Sequence, residues 1–145
     1  MDQELKKKLK RFYSEEQIRV MELLQNLGFA ASSVDIRVLK NITLEDFKNK
    51  EFKVEWMPVD RYCLQAEVIT QMESENKIPV SPVEFIGALS KMEKMDKVSR
   101  VCLSPLEKLG WVNLVANDWI QRTICSIFSG DGFGSNCLFA VKTRI

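Results

Sequence analysis

The sequence predicts an α+β fold that is predominantly α-helical, with about five to seven helices and two or three short strands in a single globular domain of residues 1–145. Apolar residues recur at helical spacing along most of the chain, whereas strict alternation of charged and apolar residues is confined to one short segment. The pattern Ser-Pro-x-Glu-x-x-Gly, which is typical of a helix start, occurs twice. Hydrophobic residues make up 46% and charged residues 28% of the chain, as in ordinary globular proteins.

Residues 1–13 are predicted to form a loosely packed basic helical arm. Leu5, Leu9 and Phe12 lie at i, i+4 and i+7, so only a narrow stripe of this helix is apolar. The densest basic cluster of the chain surrounds that stripe and consists of Lys6, Lys7, Lys8, Lys10 and Arg11. One interpretation is an arm that contacts the phosphates of RNA or of another single strand, and the other is a solvated N-terminal helix.

A second helix is predicted to begin at Ser14, where a capping box is possible, and to end at Gly28. The segment Val34–Leu39 fits either a short helix or a strand, and helix is favoured. Thr43 then caps a short helical turn that reaches about Lys50.

The period of the pattern changes at residues 51–56, where Phe52, Val54 and Trp56 alternate with charged residues and predict a strand. An amphipathic helix is expected from Val59 to about Ser74, because apolar residues recur there every fourth position. A short strand is expected at residues 98–103.

The two Ser-Pro-x-Glu-x-x-Gly copies predict helices that begin after Ser81 and Ser104. The second is expected to continue as a long central helix over residues 111–128. Its broad apolar face would consist of Val112, Ala116, Trp119, Ile120, Thr123, Ile124 and Ile127.

Three glycines at positions 130, 132 and 134 predict a loop before a final buried strand at residues 137–142, which can pair with residues 51–56. The loop stands between a predicted helix and the last strand, which is the wrong order for a phosphate-binding glycine loop. We therefore interpret it as a turn that exposes Phe133 as a possible contact residue.

The absence of histidine excludes Ser-His-Asp and Cys-His nucleophiles and histidine-ligated metal sites within this chain. The four cysteines are widely spaced, without a Cys-x-x-Cys pair, and each has apolar neighbours. We expect reduced core thiols, no metal and no cofactor. With no apolar run of about 20 residues, we also expect no membrane span and a cytoplasmic protein.

These exclusions favour a non-enzymatic domain that binds another protein or a second copy of itself, with Trp111 and Phe133 as candidate partner-binding residues. The first alternative is an accessory protein, for example a viral one, that binds RNA or a single strand through the basic cluster at residues 6–11. The second alternative is an enzyme that uses carboxylate or lysine chemistry.

Overall fold

The computed structural model describes residues 1–30, 34–48, 50–94, 98–106, 110–118, 121–128, 132–134 and 136–145. In this part of the chain there are four α-helices, namely α1 (Gln3–Leu9), α2 (Glu15–Asn26), α3 (Gln65–Ser74) and α4 (Pro82–Ser90). A 3-10 helix spans Leu44–Phe47. The strands are β1 (Glu55–Pro58), β2 (Lys77–Pro79), β3 (Ser99–Cys102), β4 (Pro105–Leu106), β5 (Gly110–Asp118), β6 (Arg122–Phe128) and β7 (Cys137–Thr143). A predominantly α-helical fold with two or three strands was therefore the wrong prediction.

The strands form a mixed sheet in which β7 pairs with three other strands. Its order is β1-β7-β3-β5-β4, with β2 also paired to β7 and β6 paired to β5. The β3 and β7 strands are parallel, and the other pairs are antiparallel. The longest pairing is the hairpin of β5 and β6, which runs in register from Val112 opposite Phe128 to Asp118 opposite Arg122.

Apolar side chains from alternate strand positions divide into one core on each face of this sheet. The larger core joins α2, α4 and the turns before β1 to one sheet face, and Leu24, Leu39 and Phe85 are fully buried there. The smaller core packs Val68 and Met72 of α3 on the opposite face. Helices therefore cover both faces, and of the described helices only α3 packs on the second one.

Several predicted elements are confirmed. Ser14 caps α2 with the expected capping box, and Gly28 follows the helix with a φ of 93°. Ser81 accepts a hydrogen bond from the Glu84 N–H at 3.2 Å, so the first Ser-Pro copy does begin a helix. The final strand also pairs with the strand that contains Trp56. That strand, β1, includes only Glu55 and Trp56 of the predicted residues 51–56, so the predicted strand begins four residues too early.

The predicted central helix over residues 111–128 is wrong, because this segment forms the β5–β6 hairpin. Its apolar residues recur every three or four positions, but many are also two apart along the chain. Both faces of a central strand can be buried, so the helical period is not decisive. β-Branched residues at Val112, Val115, Thr123 and Ile124 favour the strand.

The second Ser-Pro copy begins no helix in the described residues, because Pro105 pairs with Trp111 in the sheet and Ser104 is buried. Residues 36–41 form turns instead of the expected helix, with the Leu39 N–H donating to the Ile36 carbonyl at 3.2 Å. The helix expected from Val59 begins only at Gln65. In each case tertiary packing overrides a local helical pattern.

Candidate interaction surfaces

The N-terminal arm is a short helix that is joined to the body by an ion pair. The Asp2 carboxylate accepts a hydrogen bond from the Leu5 N–H at 2.8 Å and so caps α1. The Lys6 ammonium lies 2.9 Å from the Glu22 carboxylate on α2. The hydrogen bond from Lys6 lowers the pKa of Glu22, as expected for a carboxylate that accepts from an ammonium. No α1 residue is buried, so the arm is held mainly by its surface contacts.

The other four predicted cations of the arm are Lys7, Lys8, Lys10 and Arg11, and all four side chains are exposed. None of them forms an ion pair with any residue that the structure describes. The chain turns after α1, where the Phe12 and Tyr13 N–H groups both donate to the Leu9 carbonyl at 2.9 Å. Phe12 is then 80% exposed and Tyr13 44% exposed, beside the four free cations. We call residues 7–13 the basic–aromatic surface.

Phe133 is not an exposed contact residue, which corrects the interpretation of the glycine loop. It is 6% exposed and packs edge-to-face on Phe139, with ring centroids 5.1 Å apart. Its backbone N–H and carbonyl pair with those of Cys63 at 2.7 and 2.9 Å. These contacts fix the described part of the loop, residues 132–134, against the smaller core. Phe133 is therefore a core residue.

Trp111, the other predicted partner-binding residue, lies in β5, where its backbone pairs with Pro105. The helical argument that placed Trp111 and Trp119 on different sides of one helix no longer applies. The side chain of Trp111 and all of Trp119 lie outside the described residues, and so does Gly130. A role for Trp111 in binding stays a prediction.

The β5–β6 hairpin has one face covered by the larger core and a second face that is covered only at β5. Ile124 is fully buried in the larger core, and the neighbouring Arg122 donates to the Leu89 carbonyl at 3.0 Å. The alternate residues of β6 point to the opposite face. Thr123 and Cys125 are only half-buried there, and Ile127 is 37% exposed.

The helix α3 reaches this second face only at β5. It packs near Val115, and its Gln65 side-chain oxygen accepts a hydrogen bond from the Asn113 amide at 2.9 Å. In the described part of the chain no helix covers Thr123, Cys125 and Ile127. We call these three residues the open hairpin face. Sequence reasoning missed it because residues 111–128 were interpreted as a helix.

A cavity of about 590 Å³ lies beside the start of α4 and is lined by Arg37, Val80, Ser104 and Lys142, among others. Its cations already have partners, because Lys142 lies 3.0 Å from Glu84 and Arg37 binds Asp35 through two hydrogen bonds. The buried Ser104 hydroxyl lies 3.7 Å from the Cys102 sulfur. The cavity therefore offers no free charge that would select an anionic ligand.

The titratable groups show no pattern that favours catalysis. Burial raises the pKa of the Cys102 thiol to about 12 and also raises the pKa values of Cys125 and Cys137, so these thiols are poor nucleophiles at neutral pH. Among the described residues no group of three carboxylate or thiol side chains is placed to hold a metal ion. None of the described helices combines the length and apolar character needed to cross a bilayer.

Comparison of the chain with models of known protein families, with curated proteins and with solved structures gives no match. The class of protein must therefore be argued from the two surfaces described above, the basic–aromatic surface and the open hairpin face.

Proposed function

We propose that this chain is a non-catalytic interaction domain that assembles with a second copy of itself through the open hairpin face. The observation that carries the proposal is the contrast between the two faces of β6. On one face Ile124 is fully buried in the larger core, with Arg122 half-buried beside it. The other face leaves Cys125 half-buried and Ile127 37% exposed. Burying apolar area on that second face would stabilise an assembly by the hydrophobic effect.

A second copy is favoured as the partner because the open hairpin face carries no charge. The β6 residues on it are Thr123, Cys125 and Ile127, and they lie opposite Asn117, Val115 and Asn113 of β5. Two identical faces can therefore meet around a two-fold axis without bringing like charges together. A surface that selects a different partner commonly uses complementary charges for that purpose, and this face has none.

The size of the face sets the expected strength of the assembly. Two strands of seven residues cover about 230 Å² at ordinary strand spacing. A stable interface buries about 800 Å² on each partner. We therefore expect weak, concentration-dependent association of the whole chain, to which residues beyond this face also contribute.

The experiment is sedimentation equilibrium of the full chain over a range from micromolar to several hundred micromolar. The test variant is Ile127→Glu, and the matched control is Leu44→Glu, because both side chains are 37% exposed. We expect the wild type and the control to associate alike and Ile127→Glu to weaken association at least tenfold, since it would place a carboxylate in an apolar contact. A wild type that stays monomeric throughout the range contradicts the proposal.

Thiol alkylation gives a second measurement of the same contact. Cys125 and Cys137 are both half-buried free thiols, but only Cys125 lies on the open hairpin face. Its alkylation rate should fall as protein concentration rises, while the rate at Cys137 stays constant. Equal protection of both cysteines would indicate non-specific aggregation instead of this interface.

A further inference from the structure

We propose that the basic–aromatic surface, residues 7–13, is a binding site for single-stranded nucleic acid. This site is separate from the open hairpin face and does not depend on assembly. It is built from four exposed cations and two exposed rings at the end of α1.

The charges of this surface are available to a ligand because the arm does not use them for its own attachment. Of the five cations in the arm, Lys6 is the one that forms an ion pair with the described residues, through Glu22 at 2.9 Å. Lys7, Lys8, Lys10 and Arg11 make no ion pair with the described residues. A polyanion can therefore bind them without first breaking an internal contact, and the counterions that it releases would favour binding.

The exposed rings favour a single strand over other polyanions. Phe12 exposes 80% of its surface, which is unusual for a large apolar side chain and leaves its ring open for contact. Tyr13, 44% exposed, is its neighbour. Unpaired bases stack on aromatic rings, whereas a base-paired duplex keeps its bases stacked on each other. Adjacent rings and cations match a strand that alternates bases with phosphates.

An anionic membrane is the main competing ligand, and the geometry fits it less well. The helix α1 spans only the seven residues Gln3–Leu9, and Leu9 at its end is half-buried against the protein. That leaves Leu5 and Phe12 as the exposed apolar residues of the predicted stripe, at 41% and 80%. Interfacial helices usually bury a longer and broader apolar face in the lipid.

The experiment is fluorescence anisotropy of the full chain with labelled oligo-uridylate and oligo-thymidylate of about 20 nucleotides, between 50 and 200 mM salt. Four phosphate contacts predict a slope of about −2.8 in log K against log salt concentration, from about −0.7 for each contact on a single strand. Lys7→Glu/Lys8→Glu should weaken binding at least tenfold and lower this slope. The control Lys50→Glu/Lys53→Glu makes the same change of net charge at two exposed lysines elsewhere, and it should bind nearly as wild type.

The contribution of the Phe12 ring to binding can be measured separately from that of the charges. Phe12→Leu keeps an apolar side chain but removes the ring, so it should weaken binding several-fold at every salt concentration without changing the slope. All these residues are exposed, and unchanged thermal unfolding would show that the variants fold.

Three outcomes would overturn the proposal. The first is no binding at 50 mM salt, and the second is equal weakening by the two double variants. The third is binding to vesicles that contain phosphatidylserine, or to polyglutamate, at least as tight as to the oligonucleotides and unaffected by Phe12→Leu. That third result would assign the surface to a membrane or to an acidic protein.

Discussion

At the scale of single residues, Asn113 is the most unusual side chain of the sheet. It is fully buried in β5, and its amide nitrogen donates to the Gln65 side chain at 2.9 Å. Its Oδ1 atom has no hydrogen-bond partner among the residues that the structure describes. A buried acceptor without a partner costs about 1–3 kcal/mol, so this position contributes less stability than its burial suggests.

We predict that Asn113→Val leaves the free energy of unfolding unchanged or raises it. The substitution removes the unpaired acceptor and introduces a β-branched residue in a strand, while the half-buried Gln65 can turn toward water. The neighbouring Leu114→Ala, on the other face of β5, should cost about 2–5 kcal/mol because Leu114 is fully buried in the larger core. Urea denaturation measures both. A loss above about 1 kcal/mol in Asn113→Val would mean that the amide is fully hydrogen-bonded in solution.

Glu84 is a second residue whose contribution to the stability of the folded state is set by its environment. Partial burial alone would raise its pKa, but the Ser81 N–H and the Lys142 ammonium both bind the carboxylate. Their combined effect lowers the pKa below its ordinary value of 4.5. The ionised form therefore stabilises the folded state. This contribution is complete above the unfolded-state pKa and is lost as the pH falls through the lower folded-state value.

Glu84→Gln should accordingly cost about 1 kcal/mol of stability at pH 7. The difference from wild type should stay constant at pH values well above 4.5 and shrink as the pH falls below that value and through the lower folded-state pKa. Glu73→Gln, at an exposed position of α3, is the control and should have little effect at any pH. Thermal unfolding across this pH range checks the prediction, and a difference that grew in acid would contradict it.

At the scale of elements, α4 lies unusually close to the extended segment before β1. An added Cβ at Gly87 would come within 2.4 Å of the Phe52 ring. The ring also lies near Phe47 and Lys91, at 6.3 Å between ring centroids and 5.3 Å from the ammonium. The glycine of the first Ser-Pro-x-Glu-x-x-Gly copy is therefore needed for packing inside the helix and does not end it.

We predict that Gly87→Ala destabilises the protein by about 1–3 kcal/mol, although alanine is intrinsically the better helix former by about 1 kcal/mol. The steric origin is tested with Phe52→Leu, which removes the ring. In a double-mutant cycle the two substitutions should be coupled, and Gly87→Ala should cost less in the Phe52→Leu background. Additive effects would show that the glycine is needed for another reason.

The elements that the sequence predicted well are those with a local cause. Ser14 and Ser81 cap their helices through their own neighbours, so the signal is contained in four residues. Ser104 stands in the same motif, but its segment is buried and Pro105 pairs with β5, which lies later in the chain. A local sequence pattern does not show that a segment pairs with a strand that comes later in the chain. The β5–β6 hairpin was missed for the same reason.

At the scale of the whole molecule, the candidate surfaces were only partly predictable. The basic cluster at residues 6–11 is visible in the sequence. The sequence does not show that Lys6 pairs with Glu22 of α2, or that the other four cations form no ion pair with the described residues, because both depend on where α1 lies beside α2. Phe133 was predicted to be exposed from its glycine-rich neighbours, yet its pairing with Cys63 buries it. Whether a side chain is exposed depends on residues that are distant in the sequence, and the local composition does not contain that information.

The pairing of β7 with three other strands also affects how the chain reaches its native state. Contacts such as the one from Thr143 to Glu55 join residues 88 positions apart, and β7 pairs with β1, β2 and β3 at once. Loop-closure entropy opposes such pairings until both ends are in place. The helices α2 and α4 can form early, but β1 and β2 join the sheet only when β7, the last strand, pairs with them. We therefore expect slow, highly cooperative refolding, during which an unfinished sheet exposes edges prone to aggregation.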